Sequence, residues 1–362
     1  MEKNSTIKLL IIAAHRHDRS PSQRFRFEQY FRFFEENGVE YKLSNIISEK
    51  DDRYFYAEGY FLRKLWILLK SYLKRWSDVI ACKRYDAVFV QREAIMTRTT
   101  MFERLMAKRR PLIYDFDDAI WKMDVSEANQ NLKWMKNPKK TARLIKHAAL
   151  VIAGNNYLAD YARQFNQNVW VIPTTVDTET FRPAPKQTEK IIIGWSGSKT
   201  TIKHFELAVP VLKKIKTRMG EKIGIRVIGE ASYTNEALTI TGMAWKAQTE
   251  VSDLNDFHIG IMPLPDDEWS KGKCGLKGLT YMALEIPTIM YAIGVNTEII
   301  EHGVNGFLYR TDDELAELLE RLVNDAALRE RVGKEGRKTV EAKYSVKANA
   351  QNYLNAIRSV VR

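Results

Sequence analysis

Residues 178–203 read TETFRPAPKQTEKIIIGWSGSKTTIK, and this stretch divides the chain into two similar halves. Its first part carries two prolines and mostly polar side chains, a composition typical of a linker. An apolar run, a glycine-containing loop and a helix-like pattern then follow, which indicates the first strand and helix of a new parallel sheet. We therefore predict a second α/β domain that begins near residue 190.

The alternation of apolar runs with helix-like patterns continues on both sides of that linker. Repeated strand–helix units predict an α/β fold with two Rossmann-like parallel-sheet domains facing a cleft. We expect the first domain to cover residues 1–180 and the second 190–343, with a helical pattern in 344–362. The predicted strands are Ile7–Ala13, Ala87–Gln91, Leu112–Tyr114, Leu150–Ala153, Val169–Ile172, Ile191–Gly194, Ile225–Ile228, Phe257–Met262 and Thr288–Tyr291. The predicted helices lie around Ser22–Asn37, Thr97–Lys108, Pro138–His147, Asn155–Phe165, Lys203–Met219, Leu276–Leu284 and Thr297–His302.

The composition is typical of a soluble globular protein, since 45% of the 362 residues are hydrophobic and 28% are charged. The first apolar run is too short for the core of a signal peptide, and no stretch approaches the roughly 20 apolar residues that a membrane span needs. Cys82 and Cys274 lie far apart and match no metal-ligand spacing. We therefore expect reduced thiols in a cytoplasmic protein.

Basic residues exceed acidic ones, which gives a net charge of +12. A positive field favours a polyanionic partner: nucleic acid, an anionic membrane surface or a phosphorylated substrate. Segment 61–84, FLRKLWILLKSYLKRWSDVIACKR, is the most basic part, and its apolar residues recur at helical spacing. Such a helix suits the surface of an anionic membrane; alternatively it packs on the first domain with its lysines in water. The apolar residues concerned are Phe61, Leu62, Leu65, Trp66, Leu69, Tyr72, Leu73 and Trp76.

Three glycine-containing loops follow strands in the second half of the chain. Ligands bind beyond the carboxyl ends of parallel strands, where glycine lets the backbone approach an anion and helix amino termini offer unpaired N–H groups. Together with nearby lysines, the loops predict a diphosphate site; the alternative is ordinary strand–helix turns with solvated lysines. The candidate donor-binding residues are Gly194, Ser196, Gly197, Lys199, Lys203, Lys273, Gly275, Lys277, Val295 and Asn296. Neither a Gly-x4-Gly-Lys-Ser/Thr loop nor a Gly-x-Gly-x-x-Gly turn after the first strand is present, so a nicotinamide dehydrogenase is not expected.

An acidic cluster follows a strand of the first half, in the run Tyr114-Asp115-Phe116-Asp117-Asp118-Ala119. Asp115 and Asp117 form an Asp-x-Asp pattern that could hold a divalent metal or supply a nucleophile for phosphoryl transfer. We favour a role in which Asp117 or Asp118 orients an acceptor hydroxyl. Capping of the next helix is the structural alternative.

A basic turn follows the first strand and enters a predicted helix. Ser20 or Ser22 is placed to cap that helix, and Arg24 and Arg26 lie just inside it. The side chains of Ser22, Arg24 and Arg26 could contact donor phosphate or an anionic acceptor on the side facing the second domain. The alternative is a solvated basic first turn.

Three segments resemble the family-four retaining glycosyltransferases. The run 171–183, VIPTTVDTETFRP, is similar to the Val-Ile-Pro-Asn-Gly-Val-Asp…Phe-x-Pro stretch that joins the two domains of that family. Residues 274–287, CGLKGLTYMALEIP, resemble its glycine-led donor-site helix. Residues 294–308, which begin GVNTE, match its Gly-Gly-x-x-Glu region. The segments occur in the family's order over most of residues 150–310.

This resemblance implies a GT-B fold, a nucleotide sugar held by the second domain, no metal and no other cofactor, and a final helix that returns to the first domain. It assigns Glu298 to the catalytic site and makes Thr280 a donor-side position, because the family's Glu-x7-Glu pair falls on Gly272 and Thr280. The family's arginine in the phosphate clamp is missing, whereas Lys203 remains.

We therefore expect a hexosyltransferase that moves a sugar, with retention, from a nucleotide-sugar donor to a glycan or lipid-linked acceptor in cell-surface polysaccharide assembly. The enzyme would be cytoplasmic or peripheral on the inner face of the membrane, without a nucleic-acid partner. The alternatives are a non-catalytic scaffold of the same fold, a nucleotide-sugar epimerase and a basic nucleic-acid-binding protein.

Overall fold

The computed structural model describes residues 6–122 and 137–361, and the chain divides into two compact units. The amino-terminal unit comprises Met1–Thr174 with Asn349–Arg362, and the carboxy-terminal unit comprises Thr175–Ala348. The division at Thr174 and Thr175 lies ahead of the linker predicted at 178–190, whose residues belong to the carboxy-terminal unit.

The amino-terminal unit is built on a parallel sheet, six-stranded within the described residues, with the strand order β2-β1-β3-β4-β5-β6. Its strands are β1 (Ile7–His15), β2 (Val39–Ile47), β3 (Ala87–Gln91), β4 (Leu112–Phe116), β5 (Leu150–Ala153) and β6 (Val169–Val171). Its helices are α1 (Pro21–Arg24), α2 (Phe31–Glu36), α3 (Glu49–Phe55), α4 (Phe61–Ala81), α5 (Met101–Ala107), α6 (Lys139–His147) and α7 (Asn156–Arg163).

Strand β2, helix α3 and the helix predicted over Ser22–Asn37 differ from the sequence-based expectation, and α3 was not predicted. Strand β2 was not predicted, because Glu40 and Lys42 interrupt its apolar residues; it lies at the edge of the sheet, where its partly exposed side chains meet water. The helix predicted over Ser22–Asn37 is broken into α1, a 3₁₀ turn at Glu28–Tyr30, and α2.

The carboxy-terminal unit repeats the architecture with a sheet of order β13-β12-β11-β7-β8, five-stranded within the described residues and parallel throughout. These strands are β7 (Ile191–Ser196), β8 (Ile223–Ile228), β11 (Ile259–Met262), β12 (Thr288–Tyr291) and β13 (Phe307–Tyr309); β9 (Thr234–Asn235) and β10 (Ile240–Thr241) form a small antiparallel pair. The helices are α8 (Ile202–Glu206), α9 (Val209–Met219), α10 (Glu250–Asn255), α11 (Glu268–Lys271), α12 (Leu276–Ala283), α13 (Asn296–Ile299), α14 (Asp312–Asn324) and α15 (Ala326–Thr339), followed by a π-helical turn at Val340–Tyr344.

Close packing fixes α12 against the sheet. A Cβ on Gly278 would stand 1.4 Å from the Met290 methyl carbon on β12, so a larger residue at that position would require the Met290 side chain to move. On β11, a Cβ on Gly260 would stand 2.4 Å from the Tyr281 ring. The amino terminus of α12 is thereby held at the carboxyl edge of the sheet.

The last helix, α16 (Val346–Arg358), packs largely on the amino-terminal unit. The Tyr353 ring lies 4.8 Å from the Tyr30 ring and 5.5 Å from the Phe34 ring, measured between centroids. The return of a terminal helix to the first domain is therefore confirmed. In the described ranges, no helix is both long enough and apolar enough to cross a membrane.

Candidate functional site

Strand β7 leads into the first of the three predicted phosphate loops. The strand continues to Ser196, two residues further than predicted, so Gly194 lies inside it and a Cβ there would stand 2.1 Å from the Phe257 ring. The Ser196 amide donates a 2.7 Å hydrogen bond to the Tyr281 hydroxyl, and the two hydroxyl oxygens are 2.8 Å apart. Tyr281 therefore anchors the start of the loop to α12.

Lys277, on the first turn of α12, is a cation whose pKa is strongly changed by its surroundings. Its Nζ lies 4.7 Å from the centroid of the buried Trp195 ring. Loss of solvation, reinforced by Lys273, lowers the pKa of Lys277 to about 7. A lysine with this pKa is only partly protonated at neutral pH, and a bound anion would favour its protonated, positively charged form. This property suits a phosphate-binding role.

His204, on α8, lies near the same ammonium groups. It is buried, and its Nδ1 has no hydrogen-bond partner among the described residues. Burial, followed by the charges of Lys277, Lys273 and Lys203, lowers the pKa of His204 to about 4. The charges of three lysines thus act on one neutral imidazole, opposed by Asp267 alone among the named groups, and this excess of positive charge favours binding of a polyanion.

The amino terminus of α12 adds a second feature suited to an anion. Gly275 begins the helix with φ +69°, a left-handed conformation that glycine adopts without strain. The buried Asn296 donates through Nδ2 to the Tyr291 carbonyl at 2.9 Å, while its Oδ1 has no partner within the described ranges. This oxygen lies 3.6 Å from where a Cβ on Gly275 would stand, so it borders the positive end of α12.

In the amino-terminal unit, the basic turn after β1 is directed inward. Arg26 and Asp115 are both fully buried and form an ion pair of 2.5 Å, and Arg26 also donates to the Ile172 carbonyl at 2.6 Å. Arg24 pairs with Asp18 at 2.7 Å. Arg26 is therefore not available to an acceptor, which corrects the prediction, and Asp115 has a structural partner.

Arg92, which the sequence analysis did not identify, organises the acidic cluster. Its Nε lies 2.8 Å from Asp117 and its Nη2 2.5 Å from Asp118, and Asp117 also accepts a 2.7 Å hydrogen bond from Ser22. Burial alone would raise the pKa of Asp117, but Arg92 and Ser22 lower it below its usual value. Arg92 has φ +59°, an uncommon conformation for a side-chain-bearing residue that this network stabilises.

His15, the last residue of β1, lies in a second polar cluster of this unit. The Tyr56 hydroxyl is 3.0 Å from Nε2 of His15, and Asp52 pairs with Arg16 at 2.8 Å and with Arg19 at 2.5 Å. Burial, followed by the charge of Arg19, lowers the pKa of His15 to about 4. The carboxyl edge of this sheet therefore presents a neutral imidazole together with ionised carboxylates.

Part of the chain matches a known family in sequence. Residues 270–339 match the family described as Glycosyl transferases group 1, and this segment contains Lys273, Gly275, Lys277 and Glu298. The capsular polysaccharide biosynthesis glycosyltransferase CapM of Staphylococcus aureus is 31% identical over 97 residues, which are 26% of this chain. The match spans about a quarter of the length of CapM, 24%.

Solved structures extend the likeness to almost the whole chain. The glycosyltransferase from Rickettsia africae ESF-5 superposes with a TM-score of 0.69 at 14% identity, over 99% of each chain. Anabaena HepE, solved in complex with UDP-glucose, gives a TM-score of 0.66 at 15% identity, over 98% of this chain and 100% of that one. The fold is GT-B. The GT-B architecture predicted from the sequence is therefore confirmed.

The other predicted donor residues of this GT-B protein have different environments. Thr280 is buried, and its hydroxyl donates to the Lys277 carbonyl at 2.7 Å, so that hydroxyl is used within α12. Val295 is buried, whereas Lys199 and Glu298 are exposed. The structure thus leaves the ribose contact, which the missing Glu-x7-Glu pair would supply, without an assigned side chain.

The Asp-x-Asp pattern does not lie in a cluster of metal-ligating side chains within the described residues. Across residues 6–122 and 137–361 of the GT-B chain, no group of three His, Cys, Asp or Glu side chains is arranged to hold a metal ion. Asp115 and Asp117 instead pair with Arg26 and Arg92.

Proposed function

We propose that this protein is a glycosyltransferase that moves a sugar, with retention, from a nucleoside-diphosphate sugar to a glycan or lipid-linked acceptor. The observation that carries the proposal is the positive charge of Lys203, Lys273 and Lys277 acting on the buried His204, with Lys277 in the first turn of α12. The family match over 270–339 and the likeness to CapM support a sugar-transfer reaction in the assembly of a cell-surface polysaccharide. The likeness to HepE, whose structure contains UDP-glucose, supports a nucleotide-sugar donor.

The chemistry of the donor requires such a cluster. Breaking the bond between sugar and phosphate develops positive charge on the sugar and negative charge on the departing diphosphate. Lys277, Lys273 and the unpaired amides of α12 would stabilise the diphosphate as it leaves. Asn296 Oδ1 and the carboxylate of Glu298 are acceptors for hydroxyl groups of the nucleotide sugar.

The acceptor would bind the amino-terminal unit. Asp117 is ionised and fixed by Arg92 and Ser22, so it can accept a hydrogen bond from a hydroxyl group without changing position. We assign to Asp117 and Asp118 the orientation of the acceptor hydroxyl, and to the neutral His15 a contact with the same sugar.

A non-catalytic scaffold of the same fold is the second candidate. Gly272 and Thr280 occupy the positions of the Glu-x7-Glu pair, and this departure favours the scaffold if no nucleotide binds. A thermal-shift panel of nucleoside diphosphates and nucleotide sugars separates the two, because a bound ligand stabilises the folded state by RT ln(1 + [L]/Kd). Stabilisation by none of them would contradict the enzyme proposal. Conversion of the donor sugar without acceptor would instead indicate an epimerase.

Donor binding is expected to weaken as the pH rises above neutrality. Lys277 has a pKa of about 7 in the free protein, and a neighbouring diphosphate would raise it, so binding takes up a proton between these two pKa values. Above pH ~7.5 the diphosphate itself is fully ionised and adds no opposing change. Calorimetric titration of the best nucleoside diphosphate should show affinity that falls by up to about tenfold per pH unit, with proton uptake visible as a dependence on buffer ionisation enthalpy. An affinity that stays constant from pH 7.5 to 9 would remove Lys277 from the site.

Transfer activity is expected to survive chelation of divalent metal ions. Cationic side chains and a helix amino terminus are available to the leaving group, and Asp115 and Asp117 are paired with arginines. Release of nucleoside diphosphate from the donor should be unchanged within about twofold after EDTA treatment. A strict requirement for Mn²⁺ or Mg²⁺ that disappears in Asp117→Ala would establish the metal-binding interpretation instead.

A further inference from the structure

Helix α4 presents an apolar face to solvent. Leu62 is 78% exposed, Leu73 69% and Ile80 71%. At the helical period of about 100° per residue, the exposed apolar side chains from Leu62 to Ile80 project within an arc of roughly 100°, and Phe61, at the first position of the helix, lies outside it. The residues of this outer face are Leu62, Leu65, Trp66, Leu69, Leu73, Trp76 and Ile80, and we call them the α4 outer face.

The inner face of α4 combines apolar side chains with a buried polar network. Arg75 is fully buried and donates hydrogen bonds to the carbonyls of Ala13, Ser44 and Ala94 at 2.8, 3.1 and 2.6 Å. It also pairs with the buried Asp78 at 2.8 Å. Apolar contacts add to this attachment, since Ile67 and Val79 are buried and the Trp76 ring lies 5.6 Å from the buried Phe102 ring between centroids. An ordinary surface helix has one apolar stripe that faces the core, whereas α4 carries a second set of large apolar side chains on its exposed side.

Basic residues lie beside the outer face and at both of its ends. Arg63 and Lys64 lie near the beginning of α4, and the exposed Lys83 and Arg84 follow its end. On the helix itself, Lys70 pairs with Asp51 at 2.7 Å, whereas Lys74 lies 3.7 Å from Asp78, a carboxylate that already pairs with Arg75 at 2.8 Å. Positive charge therefore lies at both ends of the apolar arc and, through Lys74, along its side.

We propose that the α4 outer face binds the surface of an anionic lipid bilayer, with the helix lying in the plane of the interface. Leucines and tryptophans would enter the boundary between head groups and acyl chains, while the flanking arginines and lysines contact anionic head groups. The helix lies on the bilayer and does not span it, because Arg63, Lys70 and Arg75 are among the charges distributed along its length.

A second copy of this chain fits the same face less well. Two such helices packed face to face, in either direction, would bring the basic end of one copy against a basic end of the other. An anionic surface would attract the basic residues at both ends of the α4 outer face. The proposal does not depend on the proposed transferase activity, because α4 lies in the amino-terminal unit and the donor residues lie in the carboxy-terminal unit.

Vesicle flotation of the full chain tests the proposal. The probes are vesicles of phosphatidylcholine alone and vesicles with one third phosphatidylglycerol, each at low and high salt. The wild-type chain should float with the anionic vesicles and be partly released by salt, because the charges are screened within a Debye length. The variant Leu62→Gln with Leu73→Gln should lower partitioning onto anionic vesicles about tenfold or more. The variant Arg63→Glu with Lys64→Glu should lower it about tenfold on anionic vesicles only.

Leu207→Gln with Val304→Gln is the matched control, since both residues are exposed and apolar but lie in the carboxy-terminal unit. Thermal unfolding and nucleotide binding should match the wild type in all three variants, since every substituted side chain is outside the core and the donor site. Unchanged flotation of the Leu62/Leu73 variant would overturn the proposal. Absence of flotation by the wild type, together with a dimer that this variant dissociates, would assign the face to contact between copies.

Discussion

Replacing Asp115 with alanine is expected to unfold the amino-terminal unit under mild conditions, with a loss of about 3–5 kcal/mol in the free energy of unfolding. The substitution leaves the guanidinium of Arg26 without its counter-charge in a site where neither side chain is exposed. Hydrogen bonding to the Ile172 carbonyl, the partner at 2.6 Å, does not neutralise that charge. Urea denaturation followed by circular dichroism measures the loss, and hydrogen exchange should locate it in β4 and its neighbouring strands.

The double variant Arg26→Met with Asp115→Leu is the control for this prediction. Removing both charges and filling their volume with apolar atoms should recover most of the stability lost in Asp115→Ala. A single variant that stays fully stable but loses a metal-dependent activity would contradict the structural role of Asp115. It would also return this carboxylate to the list of candidate metal ligands.

Lys277→Met is expected to abolish tight donor binding and at the same time stabilise the free protein. Losing a charge-assisted contact with phosphate costs about 1.5–3 kcal/mol, which corresponds to roughly a 10- to 100-fold weaker affinity. Stability should rise because the folded protein holds this lysine at a pKa of about 7, whereas the unfolded chain holds it near its usual value. The gain should be about 2–4 kcal/mol at neutral pH.

The pH dependence identifies the cause of that gain. The unfolded chain binds more protons than the folded one between pH ~7 and ~10.5, so the stability of the wild type rises with pH across this window. The advantage of Lys277→Met should therefore be full below pH 7 and disappear near pH 10.5. Lys334→Met, which removes an exposed lysine paired with Glu330, is the control and should change neither affinity nor stability appreciably. An advantage for Lys277→Met that did not vary with pH would point to packing instead of charge.

The parallel sheets could be predicted from the sequence because their central strands are buried on both faces. Ala87–Gln91, Leu150–Ala153 and Thr288–Tyr291 are continuous apolar runs, and the structure has each with the predicted bounds. Strand β2 could not be predicted in this way, because an edge strand alternates apolar residues with Glu40 and Lys42. Its position depends on pairing with β1, which is a tertiary interaction.

The candidate donor site rests on a similar local signal. Glycines and lysines after strands indicate anion-binding loops, and the structure has Gly275 and Lys277 at the beginning of α12, while their role in donor binding stays a prediction. Arg92 carries no local signal, because its importance comes from Asp117 and Asp118, more than twenty residues away in the chain. Arg26 was misassigned because a basic residue in a first helical turn is usually solvated; only the position of Asp115 on β4 shows that it is buried.

The exposed apolar face of α4 should also appear in how the helix tolerates random substitution. In most surface helices, exchange of polar residues is neutral and exchange of leucines is harmful. Here buried side chains, among them the polar Ser71, Arg75 and Asp78, hold the helix in place, whereas Leu62 and Leu73 have few neighbours to lose. A saturation library selected only for folded protein should therefore conserve the buried positions, polar ones included, and diversify these leucines. The same library selected for function at a membrane should conserve both sets. Comparing the two selections would therefore separate residues that hold the helix in place from residues that contact its binding partner.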